Sequence, residues 1–200
     1  VTVVSVIASF FCSGFRHKLF LVEHCNLNEE FKHRGILFRL LLRLSISFLH
    51  NQACRVITVS NGVREDLISK GLRSKKVKVI YDPAYPTLAE NELNYEDGKR
   101  KWFEEDCLKI SSIGHLHKQK NHLNLVRAID ILKNDKKINC QAIIAGEGPE
   151  RNNIEALINK KKLVHEISLV GAISSPISLI EESDLFVLSS NYEGFGMVIV

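Results

Sequence analysis

Apolar positions along this chain fall into two alternating patterns. Short runs rich in β-branched residues, such as ITV at 57–59, AIIA at 142–145 and LFVL at 185–188, are separated by longer stretches in which apolar residues return every third or fourth position. The first kind suits buried strands and the second suits amphipathic helices, so the alternation predicts parallel sheets with crossover helices. In the second half the expected order is strand 108–113, helix 121–133, strand 141–145, helix 150–161, strand 167–170, helix 175–182 and strand 185–189. The first of these helices is the clearest, because Leu123, Val126, Ile129 and Leu132 form one apolar stripe.

The first half follows the same grammar more sparsely. It predicts strand 18–22, a long helix over about 29–51, strand 55–59, helix 63–69 and strand 76–81. Ser60 suits the N-cap of the short helix and Gly71 the residue just past its end. Between the halves, residues 82–106 hold Pro83, Pro86 and Gly98 in a mixed-charge stretch that breaks periodicity. The expected organisation is therefore α/β throughout: a partial Rossmann-like domain over 1–86, a linker over 87–106 and a second partial Rossmann-like domain over 107–200.

Composition narrows the classes. A chain of 200 residues with 45% hydrophobic content can bury a real core. Its 27 basic and 23 acidic residues leave a net charge of +4, too mild to imply nucleic acid but suited to an anionic ligand or membrane surface. Five cysteines (Cys12, Cys25, Cys54, Cys107, Cys140) are odd in number and show no C-x-x-C spacing, which argues against a disulfide framework and a zinc site and for a reducing, cytoplasmic home. Residues 1–11 are apolar but open without Met or a basic leader, and are too short to span a bilayer. Both termini read as cut inside a longer protein.

Three strand-end loops carry candidate chemistry. In SSIGHLHKQKNH a strand runs into Gly114, then His115 and Lys120, then a helix N-terminus, which gathers a cation and unpaired backbone amides where an anion such as phosphate would bind; a solvated turn is the competing reading. In AGEGPE, Gly146 and Gly148 let a ligand approach the backbone, with Pro149 expected at the first helical position and Glu150 in the first turn. A single G-x-G lacks the third glycine of a dinucleotide fingerprint, so an ordinary tight turn accounts for it as well. Glu193, beside Gly194, Phe195 and Gly196, lies just past the last strand, where a carboxylate can accept from sugar hydroxyls or simply face solvent. All three loops are expected on one carboxyl edge, the ligand-binding edge of open α/β sheets.

Taken together, SIGHLHKQKNHLNLVRAI, IIAGEGPERNNIEALI, VGAI and LFVLSSNYEGFGMVIV resemble the donor-binding half of the family 4 retaining glycosyltransferases (GT4), whose fold is the two-domain GT-B arrangement. Upstream, VEHCN, VITVSNGVREDLI and KVKVIYDP resemble the end of that family's acceptor domain. The resemblance implies that Lys120 contacts the donor diphosphate, with His115 nearby. Gly146, Gly148 and Pro149 would line the nucleotide-sugar crevice. Glu193 would be the first acid of an E-x7-E pair holding sugar hydroxyls, and Gly194, Phe195 and Gly196 would present backbone amides. The second acid would fall one residue past Val200. His24 would contact the donor sugar and assist the acceptor, although a lone histidine after a strand is more often structural. His122 and His165 are expected at the surface.

One position departs from the family pattern: His115 stands where arginine is usual. It lacks the rigid guanidinium fork, so weaker or pH-dependent diphosphate binding is expected, and His115→Arg should tighten it. Asp-x-Asp is absent, so no metal ligands and no cofactor are expected beyond a UDP- or GDP-sugar co-substrate. The implied acceptor is a glycan or lipid-linked precursor of a surface polysaccharide or lipopolysaccharide. The stretch EEFKHRGILFRLLLRLSISFLH sets Lys32, Arg34, Arg39 and Arg43 among leucines, which suits peripheral contact with anionic lipid at the inner face of the cytoplasmic membrane, or a helix packed on a sheet with a basic edge. These 200 residues alone are expected to be inactive. The rival readings are a non-catalytic nucleotide-sugar-binding fragment and a GT-B nucleotide-sugar epimerase.

Overall fold

The structure, a computed structural model, describes residues 19–83, 102, 106–173 and 176–199. The readings placed on 1–18, on most of 84–105 and on Ser175 lie outside them. The chain divides into two compact units, Val1–Tyr85 with Tyr192–Val200, and Pro86–Asn191.

In the first unit the order is β1 (Phe20–Glu23), α1 (Leu27–Glu30), α2 (Ile36–Phe48), β2 (Arg55–Thr58), α3 (Asn61–Ser69) and β3 (Val77–Val79). The three strands pair in parallel in the order β1-β2-β3. A core of Leu21, Ile46, Val56, Leu67 and Leu72 fills the space between sheet and helices. Ser60 caps α3 by accepting from the Val63 amide at 3.3 Å. Gly71 closes it with φ of +100°, and a side chain there would strike Ser47 at 2.9 Å, so both conformation and space require glycine.

The long helix expected over 29–51 is instead two. Asn26 accepts from the amides of Asn28 and Glu29, at 3.1 and 3.3 Å, and starts the short α1. The chain then turns, and Gly35 opens α2. The first helix is already capped at Phe31, the polar run Lys32-His33-Arg34 interrupts the apolar spacing, and Gly35, a poor helix former, starts the second helix rather than continuing the first.

The second unit holds β4 (Leu108–Ile113), α4 (His122–Asn134), β5 (Cys140–Ala145), α5 (Arg151–Lys161), β6 (Ile167–Gly171), α6 (Pro176–Glu181) and β7 (Leu185–Phe186). Its sheet is parallel in the order β6-β5-β4-β7. Strand β5 is buried along its whole length, as the apolar run 142–145 predicts for a central parallel strand. Leu125, Val126 and Ile129 of α4 pack with Ile154 and Ile158 of α5 over Ile110, Ala142 and Ile144. Two of the differences from the expected boundaries have a visible cause. Strand β7 pairs only at Leu185 and Phe186, because the chain then peels away toward the β4–α4 loop. Helix α5 begins at Arg151, since the Glu150 amide bonds the Leu116 carbonyl (2.9 Å) and that of Arg151 bonds Gly148 (3.1 Å), which makes Gly148-Pro149-Glu150 a turn before the helix.

Candidate functional site

Strand order in the second unit fixes where a ligand can enter. Strands β4, β5 and β6 wind outward in one direction, whereas β7 lies on the other side of β4. The order therefore reverses between β4 and β7, and open α/β sheets bind ligands in the crevice outside the carboxyl ends at such a reversal. The loops leaving β4 and β5 and the tail leaving β7 all issue from that edge.

Backbone bonds stitch these loops together. The Gly114 amide donates to Ala145 (2.9 Å), Leu116 to Glu147 (3.0 Å) and Gly146 to Gly171 (2.6 Å). A Cβ at Gly146 would sit 2.0 Å from the Gly114 carbonyl oxygen, and one at Gly148 2.6 Å from that of Leu116. These glycines are required by the approach of one loop's backbone to the next. The tail of β7 joins them: the Asn191 amide donates to Gln119 (2.8 Å), its side chain to Lys118 (3.0 Å), and the Ser189 hydroxyl to the Lys120 carbonyl (2.8 Å).

Lys120 ends the turn just before α4 and its stem lies against Gly114, where a Cβ would meet Cε at 3.5 Å. Asn121 caps the helix in the left-handed region (φ 49°), a conformation asparagine tolerates, and donates through Nδ2 to the Asn191 side chain at 3.0 Å. The half-buried lysine thus stands beside a helix N-terminus whose first amides carry partial positive charge. His115 is exposed, its ring 6.0 Å from that of His117. A cleft of about 230 Å³ opens alongside, lined in part by His117, Lys118, Asn121 and Glu150. His122, expected at the surface, is 3% exposed instead. Burial, with the Lys120 charge adding to it, pushes its pKa down to about 4.

Glu193 and the glycines after it pack with the first unit. There they meet the carboxyl ends of its strands. A Cβ at Gly194 would lie 1.6 Å from the His24 carbonyl oxygen, so only glycine fits. The Phe195 ring rests on Tyr81, centroids 5.6 Å apart, and the Tyr81 hydroxyl accepts from Asn61 at 3.2 Å. His24 Nδ1 faces Asp82 Oδ2 at 3.3 Å. Neighbouring Cys25 has its thiol pKa raised by burial and by Glu30, Glu23 and Glu193, which keeps it protonated and poorly nucleophilic. Glu23 is tied to the buried His50 ring at 3.1 Å. Asp82, Tyr81 and Asn191 escaped the sequence reading, although Asp82 carries the same signal as Glu193: an acid just past a strand.

Among the described residues no group of three or more His, Cys, Asp or Glu side chains is placed to hold a metal ion. No described helix is long and apolar enough to cross a membrane.

Residues 95–200 match the family Glycosyl transferases group 1. The chain belongs to that family. Over 165 residues, 80% of the chain, it is 31% identical to the N-acetylgalactosamine-N,N'-diacetylbacillosaminyl-diphospho-undecaprenol 4-alpha-N-acetylgalactosaminyltransferase of Campylobacter jejuni, covering 42% of that protein. An O-antigen biosynthesis glycosyltransferase of Escherichia coli is 30% identical over 133 residues, 64% of the chain and 35% of the relative. The chain thus spans less than half the length of these relatives. Among solved structures, Anabaena HepE in complex with UDP superposes with a TM-score of 0.66 at 20% identity, covering 96% of this chain and 51% of that one. WaaG, a glycosyltransferase involved in lipopolysaccharide biosynthesis, superposes with 0.68 at 16% identity, over 90% of this chain and 52% of its own. The fold of this group 1 member is that of the GT-B glycosyltransferases.

Proposed function

We propose that this group 1 protein is a retaining GT4 enzyme that transfers a sugar from a UDP- or GDP-sugar to a glycan or lipid-linked acceptor in surface polysaccharide or lipopolysaccharide assembly. The observation that carries the reading is the loop cluster at the carboxyl edge beside the β4–β7 reversal, where the Lys120 stem lies against Gly114, the Gly114 carbonyl lies against the sterically obligatory Gly146, and a helix N-terminus follows Lys120. That cluster suits a diphosphate: the ammonium supplies a point charge, and the amides of the loops supply directional donors.

In the reaction the bond from the anomeric carbon to the diphosphate oxygen breaks, a bond to the acceptor oxygen forms, and the acceptor's proton leaves with the nucleoside diphosphate. Charge therefore grows on the departing oxygen. Lys120 and the α4 N-terminus, already oriented, stabilise it without a metal ion. His115 lends a second, weaker contact. Gly146, Gly148 and Pro149 border the nucleotide. Glu193 accepts from sugar hydroxyls, with the amides of Gly194, Phe195 and Gly196 beside it, and His24 contacts the sugar. Residues 107–200 form the donor-binding side, 1–86 the acceptor side and 87–106 the linker. The Campylobacter relative's name gives a diphospho-undecaprenol substrate, which supports a lipid-linked acceptor; we set that acceptor at the inner face of the cytoplasmic membrane.

Incubating the complete gene product with a panel of UDP- and GDP-sugars and a polyprenyl-diphosphate glycan tests this. Transfer with the anomeric configuration kept, read by NMR of the product, is the expected result. Donor isomerised or hydrolysed with no acceptor present would favour an epimerase, and donor bound but never consumed a binding module.

A further inference from the structure

Within the first unit, His24 and Asp82 come from the carboxyl ends of strands that are not neighbours. His24 follows the last residue of β1 and Asp82 lies shortly past the end of β3, with β2 between them. Two strand spacings, about 10 Å, separate the backbones of β1 and β3. Past the strand ends the two side chains nonetheless meet, Nδ1 to Oδ2 at 3.3 Å.

We propose that Asp82 is a positioning residue for His24, holding the imidazole in its Nδ1–H tautomer so that Nε2 presents a lone pair to a sugar hydroxyl. The inference rests on the reading of His24 as a sugar contact and adds the group that sets its chemistry. A carboxylate has only acceptors, so the ring nitrogen facing it carries the hydrogen. A neutral imidazole has a single N–H, and Nε2 is then an acceptor. A hydroxyl can donate to it.

Both backbones are held. The His24 carbonyl lies against Gly194 so closely that no side chain fits between them. Asp82 follows Tyr81, whose ring rests on Phe195 and whose hydroxyl takes a hydrogen bond from Asn61, and it precedes Pro83, which fixes the next φ. Exposure divides the roles: the His24 side chain is 59% exposed and that of Asp82 28%, so the ring stays open to a ligand while its anchor is largely covered.

The test is long-range 1H–15N NMR on the complete protein at alkaline pH, where an ordinary imidazole is neutral, with the His24 signals assigned by their loss in His24→Gln. The wild type should show Nδ1 protonated and Nε2 bare. Asp82→Ala should shift the ring toward the Nε2–H form and lower kcat/KM for sugar transfer by about tenfold or more. Asp82→Asn, whose amide oxygen still accepts from Nδ1–H, should restore both. An Nε2–H ring in the wild type, or a tautomer that Asp82→Ala leaves unmoved, overturns the proposal, and the wild-type spectrum decides even where a variant fails to fold. A tautomer that answers to Asp82 while transfer is unchanged upholds the pairing and overturns the sugar contact.

Discussion

His122 is a single imidazole that links the acid sensitivity of this protein to its site. Its ring is buried at the first turn of α4, and its pKa falls from the ordinary 6.5 to about 4. Between those values the unfolded chain takes up a proton that the folded chain refuses, so stability falls as pH drops through that window, by about 1.4 kcal/mol per pH unit and about 3 kcal/mol in all. Urea unfolding at pH 7 and at pH 4 should show His122→Phe losing about 3 kcal/mol less than the wild type; equal losses would mean the ring is not buried. Sequence hid this residue because a histidine after four other polar positions, Lys118, Gln119, Lys120 and Asn121, reads as surface. Ser60 and Gly71 were legible for the opposite reason: a cap is a local bond, and a left-handed turn is a local conformation. The requirement for glycine at 146 and 194 is local in neither sense. It comes from carbonyls at Gly114 and His24, far away in sequence, so the residue type was visible and its cause was not.

Elements that bury both faces left the strongest trace, and β4 matches its expected range residue for residue, with β5 and β6 within one position. Helix α2 is the contrary case. Its apolar pattern is continuous, yet Leu37, Leu40, Leu41, Leu44 and Phe48 are more than half exposed in the described structure, while Ile46 is fully buried. Arg39 and Arg43 share a groove of about 430 Å³ with Phe31, Ile36 and Leu40. Amphipathic surfaces that combine basic and large apolar side chains lie in the headgroup region of anionic bilayers. On this account the complete protein should co-sediment with vesicles containing phosphatidylglycerol and not with neutral ones, and Arg39→Glu with Arg43→Glu should abolish it. Equal sedimentation with both kinds of vesicle would assign the apolar face to another role.

At the scale of the whole molecule, the sequence revealed two parallel α/β sheets because each follows from periodicity, and strand order followed from neither composition nor motif. The β4–β7 reversal, which places the crevice, emerges only when β7 pairs on the far side of β4. The segment 192–200 shows the same limit: it follows directly on the second unit in sequence and yet packs with the first unit. What the account needs most is that the rim around Lys120 grips the diphosphate of an activated sugar. Isothermal titration of the complete protein with UDP and GDP, alone and as nucleotide sugars, tests this directly. The account predicts saturable binding to at least one of them without added metal, weakened about tenfold or more by Lys120→Ala; unchanged affinity in that variant would contradict it.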